Sequence, residues 1–583
     1  MSYNIVNGKI TNCTFINNTA DNAAGAIDCF SANSSIYYCT FINNSASNGG
    51  AVYWSASGLN GTLSESTFIN NNAKGNGGGI YWVGSNGNLT NSNFIYNIAN
   101  GNGGAVWWNG NKGTIKGSNF TNNIGNEFGG AIDWVSANGN LICSIFTGNS
   151  AINGGGVYWN VGSGLYGSLT NSTFINNYAT SGGAVFWGSQ NGNLTDPIFI
   201  NNIATYGNNV YWVWTVTEFL NKYSQIHDYD YVMIKNGNGT PNSTIVLNKK
   251  GITISSQGNV TFDAKGGNLH FEVTGDNVLI EKITFRNFNF PNDRGGALQW
   301  LGDNGVLKNC NFINNTALNG GALDWRGFNG NLTSSSFNNN VAKANGGGVH
   351  WVSLNGTING CTFTSNIANN NGGGVYWNTA KGILIDSTFK GNTANNWGGG
   401  VYWNGANGTL SESNFINNSV KLKSGGGVYW SGANGTLSES NFINNTAINS
   451  GGGGIRWFGT NGVLSNSIFT NNIADLGGAV NSNLEHTLIN CTFNKSTSFK
   501  SNGIFAQGNL TIEGGKGIVY IHFEKNDALS GISIIVLNNE TYYYPPNSNI
   551  NFWEDFFISF VVVCFLFFAY FVLFTAKKII AAN

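Results

Sequence analysis

Residues 49–54 read Gly-Gly-Ala-Val-Tyr-Trp, and residues 398–403 repeat the pattern as Gly-Gly-Gly-Val-Tyr-Trp. The tryptophan that ends this signature recurs about every 26 residues in two blocks, at Trp54, Trp82, Trp108, Trp134, Trp159, Trp187, Trp212, Trp300, Trp325, Trp351, Trp377, Trp403, Trp430 and Trp457. A phenylalanine follows the same period, at Phe15, Phe41, Phe68, Phe94, Phe120, Phe146, Phe174, Phe199, Phe285, Phe312, Phe337, Phe363, Phe389, Phe415, Phe442, Phe469 and Phe493. Such a period indicates a repeat architecture.

Each repeat contains two short runs that favour β-strands, such as residues 51–54 and 62–69, and no run with the period of a helix. An Asn-Gly pair often precedes the second run, as at residues 60–61, and both residue types tolerate positive φ in turns. A repeat this short cannot bury its own apolar face, so neighbouring repeats must stack. The sequence therefore predicts an all-β solenoid of parallel strands, with one coil per repeat.

Alternation along the strands predicts which positions face inward. In the Val-Tyr-Trp run the first and third positions keep their type, whereas the middle position varies, so we expect the middle position outside. The interior is predicted to hold the Val, Trp and Phe positions and the aliphatic residue five before each phenylalanine, as at Leu63, Leu89, Ile115, Leu141 and Leu410. An inward ladder of stacked amides is predicted three residues after the phenylalanine, at Asn18, Asn44, Asn71, Asn97, Asn315 and Asn445.

The paired runs at residues 50–52 and 68–71, repeated in type at 130–132, resemble the repeats of the chlamydial polymorphic outer-membrane proteins. The asparagine-rich texture is similar to that of adhesin-like surface proteins of methanogenic archaea. The resemblance covers residues 5–213 and 285–499. It implies a right-handed parallel β-helix and a place at the cell surface. It implies no particular activity, because β-helices include lyases, glycosidases and inert stalks.

The composition excludes several classes of protein. The 583 residues carry 26 Lys+Arg and 27 Asp+Glu, a net charge of −1, so no nucleic-acid partner is expected. Charged residues make up 9% of the chain, against roughly 25% in soluble domains, which excludes an ordinary helical enzyme. The 18 tryptophans and 39 phenylalanines exclude a disordered linker, because they supply the apolar surface that offsets the entropy of ordering.

Five segments are predicted: β-helix blocks at residues 1–213 and 285–499, a capping helix with irregular coils at 214–284, a small β spacer at 500–551 and a transmembrane anchor at 552–578. Thr217 is predicted to cap the helix, with Phe219, Leu220, Tyr223 and Ile226 on one face. We expect this helix to cap the second block. The alternative is one continuous rod in which the helix is an insertion.

Residues 556–576 form an uncharged apolar stretch long enough to span a bilayer. Lys577 and Lys578 follow it, so the positive-inside rule predicts a single-pass anchor with a cytoplasmic C-terminus and extracellular repeats. No signal peptide is visible at the start of the sequence. We expect that an upstream portion is missing, because an uncapped first coil would expose a sheet end. The alternative is an anchor that inserts without a signal.

Cysteines two positions before the phenylalanine are predicted to be small buried fillers rather than ligands: Cys13, Cys39, Cys310, Cys361 and Cys491. No Cys-x-x-Cys pair or His–Cys metal spacing occurs in the sequence, so neither a metal nor another cofactor is expected. N-glycosylation sequons recur with the repeat, and whether they are occupied stays open. Examples begin at Asn12, Asn60, Asn171, Asn355 and Asn407.

A polar cluster is predicted at the start of the second block, from Asp293, Arg294, Gln299, Asp303, Asp324, Arg326 and His350. Asp324 and His350 should be neighbours across one coil. We expect a solvated surface there, and no enzymatic activity. The outward carboxylates Asp28 and Asp133 are four coils, about 19 Å, apart, which exceeds the roughly 5–9.5 Å of paired glycosidase carboxylates. A carbohydrate-active enzyme, either a polysaccharide lyase or a glycosidase, is the alternative.

Two runs of consecutive aromatic middle positions stand out, with steps of about 4.8 Å. The first strip comprises Tyr53, Tyr81 and Trp107, and the second strip comprises Tyr376, Tyr402 and Tyr429. Exposed aromatic rings stack on sugars or anchor a protein partner, whereas the alternative is cross-strand pairing that only stabilises the sheet. The sequence predicts a membrane-anchored, adhesin-like surface protein whose partners are glycans or surface proteins of another cell. A passive wall or stalk component is the further alternative.

Overall fold

The computed structural model describes residues 2–160, 162–499, 503–507, 510–513, 520–523, 533–537, 540–544 and 549–551. These residues form a parallel β-solenoid of about 19 turns with coils of about 26 residues, which confirms the predicted repeat fold. They fall into two compact units. The first comprises Met1–Gly239, Leu247–Thr261 and Gly275–Ile283, and the second comprises Thr240–Val246, Phe262–Thr274 and Thr284–Asn583.

One coil of the first unit shows how a repeat folds. It consists of four short strands, Val52–Trp54, Thr62–Ser64, Thr67–Ile69 and Asn72–Ala73. Each strand pairs in parallel with its counterpart one coil later. Because identical positions pair, every side-chain type forms a ladder along the unit.

The Val-x-Trp strands form what we call the Trp face of each unit. In the first unit its strands are Ser2–Tyr3, Ile27–Cys29, Val52–Trp54, Ile80–Trp82, Val106–Trp108, Ile132–Trp134, Val157–Trp159, Val185–Trp187, Val210–Trp214 and Tyr231–Gly239. In the second unit they include Phe271–Val273, Leu298–Trp300, Leu323–Trp325, Val349–Trp351, Val375–Trp377, Val401–Trp403, Val428–Trp430, Ile455–Trp457, Val480–Ser482 and Ile504–Ala506.

Three further ladders complete the coils. In the first unit they run from Lys9–Thr11 to Asn193–Thr195, from Thr14–Ile16 to Ile198–Ile200, and from Ser45–Ala46 to Ile124–Gly125. In the second unit they run from Val306–Lys308 to Leu510–Glu513, from Ile283–Arg286 to Thr492–Asn494, and from Asn289–Arg294 to Thr497–Ser498.

The interior is built from the residue types that the repeat keeps constant. Val52, Trp54, Leu63 and Phe68 are all fully buried. Trp54 stacks on the tryptophan of the next coil with ring centroids 4.2 Å apart, and Phe68 stacks on Phe41 at 4.5 Å. Large aromatic rings in offset stacks supply most of the buried apolar surface of each coil. The predicted interior is confirmed.

The predicted asparagine ladder is also confirmed. Asn71 is fully buried, and its Nδ2 donates to the Asn97 Oδ1 at 2.9 Å and to the Phe41 carbonyl at 3.0 Å. Its Oδ1 accepts hydrogen bonds from the backbone N–H and the Nδ2 of Asn44, both at 3.0 Å. The ladder therefore satisfies buried side-chain amides and a buried backbone carbonyl at the bend after each phenylalanine strand.

The Asn-Gly turns have a different cause from the one predicted. Asn60 does take a positive φ of 54°, but Gly61 is not among the glycines with positive φ. A Cβ at Gly61 would lie 2.3 Å from the ring of Trp54, so the glycine is required by contact with the buried indole. The sequon asparagines at these bends and turns are exposed, namely Asn12, Asn60, Asn171, Asn355 and Asn407.

A short α-helix, Val216–Lys222, is followed by a 3₁₀ helix, Tyr223–Gln225. The N-cap is Thr215 rather than the predicted Thr217, because Thr215 and Glu218 form a capping box. The Thr215 hydroxyl accepts from the Glu218 N–H, and the Glu218 carboxylate accepts from the Thr215 N–H at 2.9 Å. Phe219 is fully buried, and the helix belongs to the first unit, where it packs against the strand Tyr231–Gly239.

The cysteine prediction holds at four of its five positions, since Cys39, Cys310, Cys361 and Cys491 are buried. Burial raises the pKa of the Cys361 thiol to about 12, and the thiol donates to the Asn359 carbonyl at 3.4 Å. Cys13 is exposed, so the prediction is wrong there. It lies in the first described coil, where no earlier described coil covers it.

The tail contains strands in the segment predicted as a spacer. Tyr520–Phe523 continues the parallel Trp face after Ile504–Ala506, and Ser533–Leu537 pairs in parallel with Leu510–Glu513. Two later strands then pair antiparallel with these, namely Asn549–Asn551 with Tyr520–Phe523 and Glu540–Tyr544 with Ser533–Leu537. No helix of the described residues is long and apolar enough to cross a bilayer, and the predicted anchor at residues 556–576 lies outside them.

Candidate functional site

The middle position of the Trp-face strands forms a column that varies in type while the fold stays constant. Tyr53 is half-buried between Val52 and Trp54, which are fully buried. Parity points the column outward as predicted, but the loops beside each strand cover part of it. Asp133 and Asp324, expected on the outside, are buried, with exposures of 1% and 0%. Strand alternation alone does not account for this covering, so that part of the prediction is wrong.

The first strip is a continuous ring stack. Tyr53 and Tyr81 have centroids 5.0 Å apart, and Tyr81 and Trp107 have centroids 4.2 Å apart. Asp133 follows Trp107 in register, and Tyr158 comes next. The strip is thus an aromatic platform that ends at a carboxyl group.

Asp133, at the end of the first strip, is a buried carboxyl group. Burial raises its pKa well above the usual range, and a hydrogen bond from the Trp107 side chain offsets this only in part. Its Oδ1 has no hydrogen-bond partner among the described residues. The aromatic rings of Phe128 and Tyr158, with centroids 4.5 Å apart, lie beside it in the same coils. The first strip therefore ends at a buried carboxyl group whose pKa is raised by burial.

The second strip is also a continuous ring stack. Tyr376 and Tyr402 have centroids 4.9 Å apart, and Tyr402 and Tyr429 have centroids 5.4 Å apart. Trp397 widens this platform, since its ring lies 6.3 Å from that of Tyr402 and 5.6 Å from that of Tyr429. The ammonium group of Lys423 lies 4.4 Å from the Trp397 centroid, a cation–π distance.

Phe128 and Trp397 are site residues that the sequence reasoning missed. Each stands immediately before the Gly-Gly pair of its coil, where half of the coils have asparagine. The asparagines are Asn48, Asn76, Asn102, Asn153, Asn319, Asn345 and Asn371. An aromatic side chain there packs against the column: Phe128 stacks on Tyr158, beyond the end of the first strip, and Trp397 packs at a tilt against Tyr402 and Tyr429. The signal was present in the sequence as an exception to the repeat.

The predicted polar cluster divides into two parts. Asp324 pairs in register with His350, and its carboxylate lies 2.5 Å from the His350 Nδ1 and 2.5 Å from the Arg326 Nε. Asp324 is fully buried, so this part is an interior ion-pair network rather than the expected solvated surface. Asp293 and Arg294 lie instead on the strand Asn289–Arg294 of another ladder.

The buried network adjoins the second strip. The His350 ring stacks on Tyr376 with centroids 5.1 Å apart. The column of the second unit therefore reads Asp324, His350, the three tyrosines of the second strip, and then Arg456, which pairs in register with Tyr429. Aromatic rings, an imidazole and a guanidinium lie on successive coils along one line.

Comparison with known proteins supports the repeat. The family model of the Chlamydia polymorphic membrane protein repeat matches residues 38–53, 65–81 and 386–402. Each match runs from the region of the phenylalanine strand into the next Trp-face strand and ends at the column. This confirms the resemblance to the chlamydial repeats at those residues. The similarity to archaeal surface proteins is not supported by these comparisons, and no curated protein matches the sequence.

Two solved structures are similar to the chain at low identity. A PL6 alginate lyase in complex with a trisaccharide is 12% identical, over 58% of this chain and 92% of the lyase, with a TM-score of 0.28. PfbA, a surface adhesin of Streptococcus pneumoniae, is 13% identical, over 69% of this chain and 91% of PfbA, with a TM-score of 0.27.

Proposed function

We propose that this chain is an adhesin-like cell-surface protein that presents an aromatic-lined β-helix face to glycans or to the surface of another cell. The observation that carries the proposal is the second strip, in which three half-buried tyrosines stack on one another and Trp397 packs against them at a tilt. Because the stacked rings cover each other's faces, the strip presents ring edges and phenol hydroxyls, which form hydrogen bonds with sugar hydroxyl groups. They lose little entropy on binding because the strand holds each ring in place.

The repeat match supports the location. The matched family consists of repeats from membrane proteins, and the proposed anchor at residues 556–576 would hold the solenoid outside the cell. Intact producing cells should therefore bind an antibody against the second unit, and external protease should remove that signal. Signal that emerges only after lysis would contradict a surface location.

Binding is tested by replacing the second strip. The triple substitution Tyr376→Ala, Tyr402→Ala and Tyr429→Ala should abolish binding to a glycan array or to partner cells while the circular dichroism of the protein is retained. The matched control replaces Tyr96, Tyr166 and Tyr178, which are exposed tyrosines outside the column. Unchanged binding in the strip variant would leave a passive wall or stalk component as the function.

A carbohydrate-active enzyme is the second candidate, and one observation favours it. Asp324 holds the His350 imidazole at 2.5 Å, and His350 stacks on the end of the second strip. An imidazole oriented by a buried carboxylate is suited to general acid–base chemistry on a bound sugar. Turnover of a polysaccharide that is lost in both Asp324→Ala and His350→Ala would establish this candidate over pure adhesion.

A further inference from the structure

We propose that the second strip is selective for acidic polysaccharides, and that Lys423 and Arg456 bind the carboxylate groups of the sugar. The inference rests on the proposed function, because it names the class of glycan that the same platform takes. It begins from the end of the strip at Tyr429, where the aromatic column gives way to cationic side chains.

Lys423 supplies the first cation. Its side chain is exposed, and its Nζ lies 4.4 Å from the centroid of Trp397. The Trp397 ring in turn lies 5.6 Å from that of Tyr429. The contact holds the ammonium group beside the tyrosine strip, within reach of a carboxylate on a sugar bound there.

Arg456 supplies the second cation. It pairs in register with Tyr429, so it occupies the next step of the same column. Its guanidinium donates to the side-chain carbonyl of Asn481 on the following coil, which fixes its position. Burial lowers its pKa to about 10, so the group stays charged at neutral pH while being poorly hydrated. A poorly hydrated guanidinium binds carboxylate strongly and with defined geometry.

Neither cation has an acidic partner among the described residues. The Lys and Arg ion pairs there involve Lys282, Arg286 and Arg326, and the carboxylates of Asp230 and Asp324 contact His227 and His350. Arg326 and His350, at the far end of the same column, share the carboxylate of Asp324. Lys423 and Arg456 thus leave positive charge beside an aromatic surface, and an anion from outside the chain complements it.

The combination selects the chemistry of the ligand. The phenol hydroxyls and ring edges of the strip favour a hydroxyl-rich sugar chain, and the two cations favour a carboxylate on that sugar. A neutral polysaccharide can contact the tyrosines but leaves the partly buried guanidinium of Arg456 without an anion. A uronic-acid polymer can contact the tyrosines and also place a carboxylate beside the guanidinium.

The test uses the full-length protein, solubilised in a mild detergent, with two probes: polygalacturonate and the same polymer after chemical reduction of its carboxyl groups. We expect at least tenfold tighter binding of polygalacturonate by isothermal titration calorimetry. Lys423→Gln combined with Arg456→Gln should remove that preference, whereas Lys423→Arg combined with Arg456→Lys should keep most of it. Lys390→Gln, an exposed lysine on another face of the second unit, is the matched control.

The outcomes separate the inference from the function on which it rests. One outcome is that both polymers bind equally, and that this binding is lost in Tyr402→Ala but kept in the double glutamine variant. That result would overturn the preference for acidic polymers and leave glycan binding in place. Polygalacturonate binding that is unchanged in Tyr402→Ala would overturn both. Equally tight binding of double-stranded DNA, lost in the double glutamine variant, would replace the sugar with a general polyanion and overturn the inference.

Discussion

The first and second strips lie on the same kind of Trp-face strand, but acidic residues flank the first strip and basic residues flank the second. Each has three consecutive aromatic residues in the column and one further aromatic residue before a Gly-Gly pair nearby, Phe128 in one and Trp397 in the other. The first strip is preceded by Asp28 and followed by Asp133, and burial raises the pKa of both carboxyls. The second strip is preceded by His350 and followed by Arg456.

The difference shows that the column is independent of the interior. Val52 and Trp54 in one unit and Val401 and Trp403 in the other are all fully buried, and their ladders are unaffected by what stands between them. The middle position changes between acid, aromatic and base without a change in the backbone register. A repeat of this kind separates residues that maintain the fold from residues that can vary without changing it.

The largest expected effect tests whether the two units have the same kind of interior. Asn71→Leu in the first unit and Asn392→Leu in the second should each destabilise their own coils by about 3 kcal/mol, since each leaves buried amide and carbonyl groups without partners. Hydrogen exchange of the surrounding backbone measures the loss locally, which suits a repeat protein whose units need not unfold together. Destabilisation in only one of the two variants would show that the asparagine ladders of the two units contribute differently to stability.

The next effect concerns the acid end of the first strip. In the unfolded chain Asp133 ionises above the ordinary aspartate pKa of 3.8, whereas the folded chain holds the proton until the raised pKa is reached. Stability of these coils should therefore fall as pH rises above 4, by at most about 1.4 kcal/mol per pH unit. Asp133→Asn should remove this slope, as measured by hydrogen exchange corrected for intrinsic rates.

Its control is Asp196→Asn, at an exposed carboxyl of the same unit. A slope that persists in Asp133→Asn would mean that another group causes it. Parallel pH dependences of the parent protein and Asp133→Asn between pH 5 and pH 7 would show that the Asp133 carboxyl is ionised in the folded state.

A smaller effect distinguishes the two extra aromatic residues. Trp397→Asn introduces the asparagine found at this position in half of the coils. It should weaken polygalacturonate binding about fivefold, because it removes an aromatic ring beside the strip and the contact that holds Lys423 in place. Phe128→Asn should leave that binding unchanged, since none of the cation–π contacts of the described residues involves a ring of the first strip. Titration of both variants checks this, and equal losses would show that the two strips bind alike.

The smallest effect concerns the exposed asparagines of the turns. Asn60 and Asn434 both have positive φ and donate through Nδ2 to the preceding coil, to Asn33 at 3.1 Å and Asn407 at 3.2 Å. Substitution of either by glycine keeps the backbone conformation, and water replaces the lost bond, so we expect less than about 0.5 kcal/mol. Urea denaturation compares the variants, and a loss near that of Asn71→Leu would show that this ladder is structural.

Much of the fold was predictable because the repeat samples the same environment many times. The constancy of the positions of Trp54 and Phe68 shows burial directly, and Asn71 is predicted in its ladder by the same argument. The site was less predictable. Asp133 and Asp324 lie in the outward position of their strands, yet neighbouring loops and rings bury them, and a strand pattern contains no information about those neighbours.

Period and alternation are local properties that stacking repeats unit by unit, so they were enough to predict the parallel solenoid, its coil of about 26 residues, its interior and the two aromatic strips. They did not predict that Trp397 joins Tyr402 and Tyr429, that Lys423 lies on Trp397, or that Asp324 is enclosed with Arg326 and His350. Those contacts join side chains from different turns and coils. Their distances depend on how the chain bends between strands, which no periodic pattern specifies.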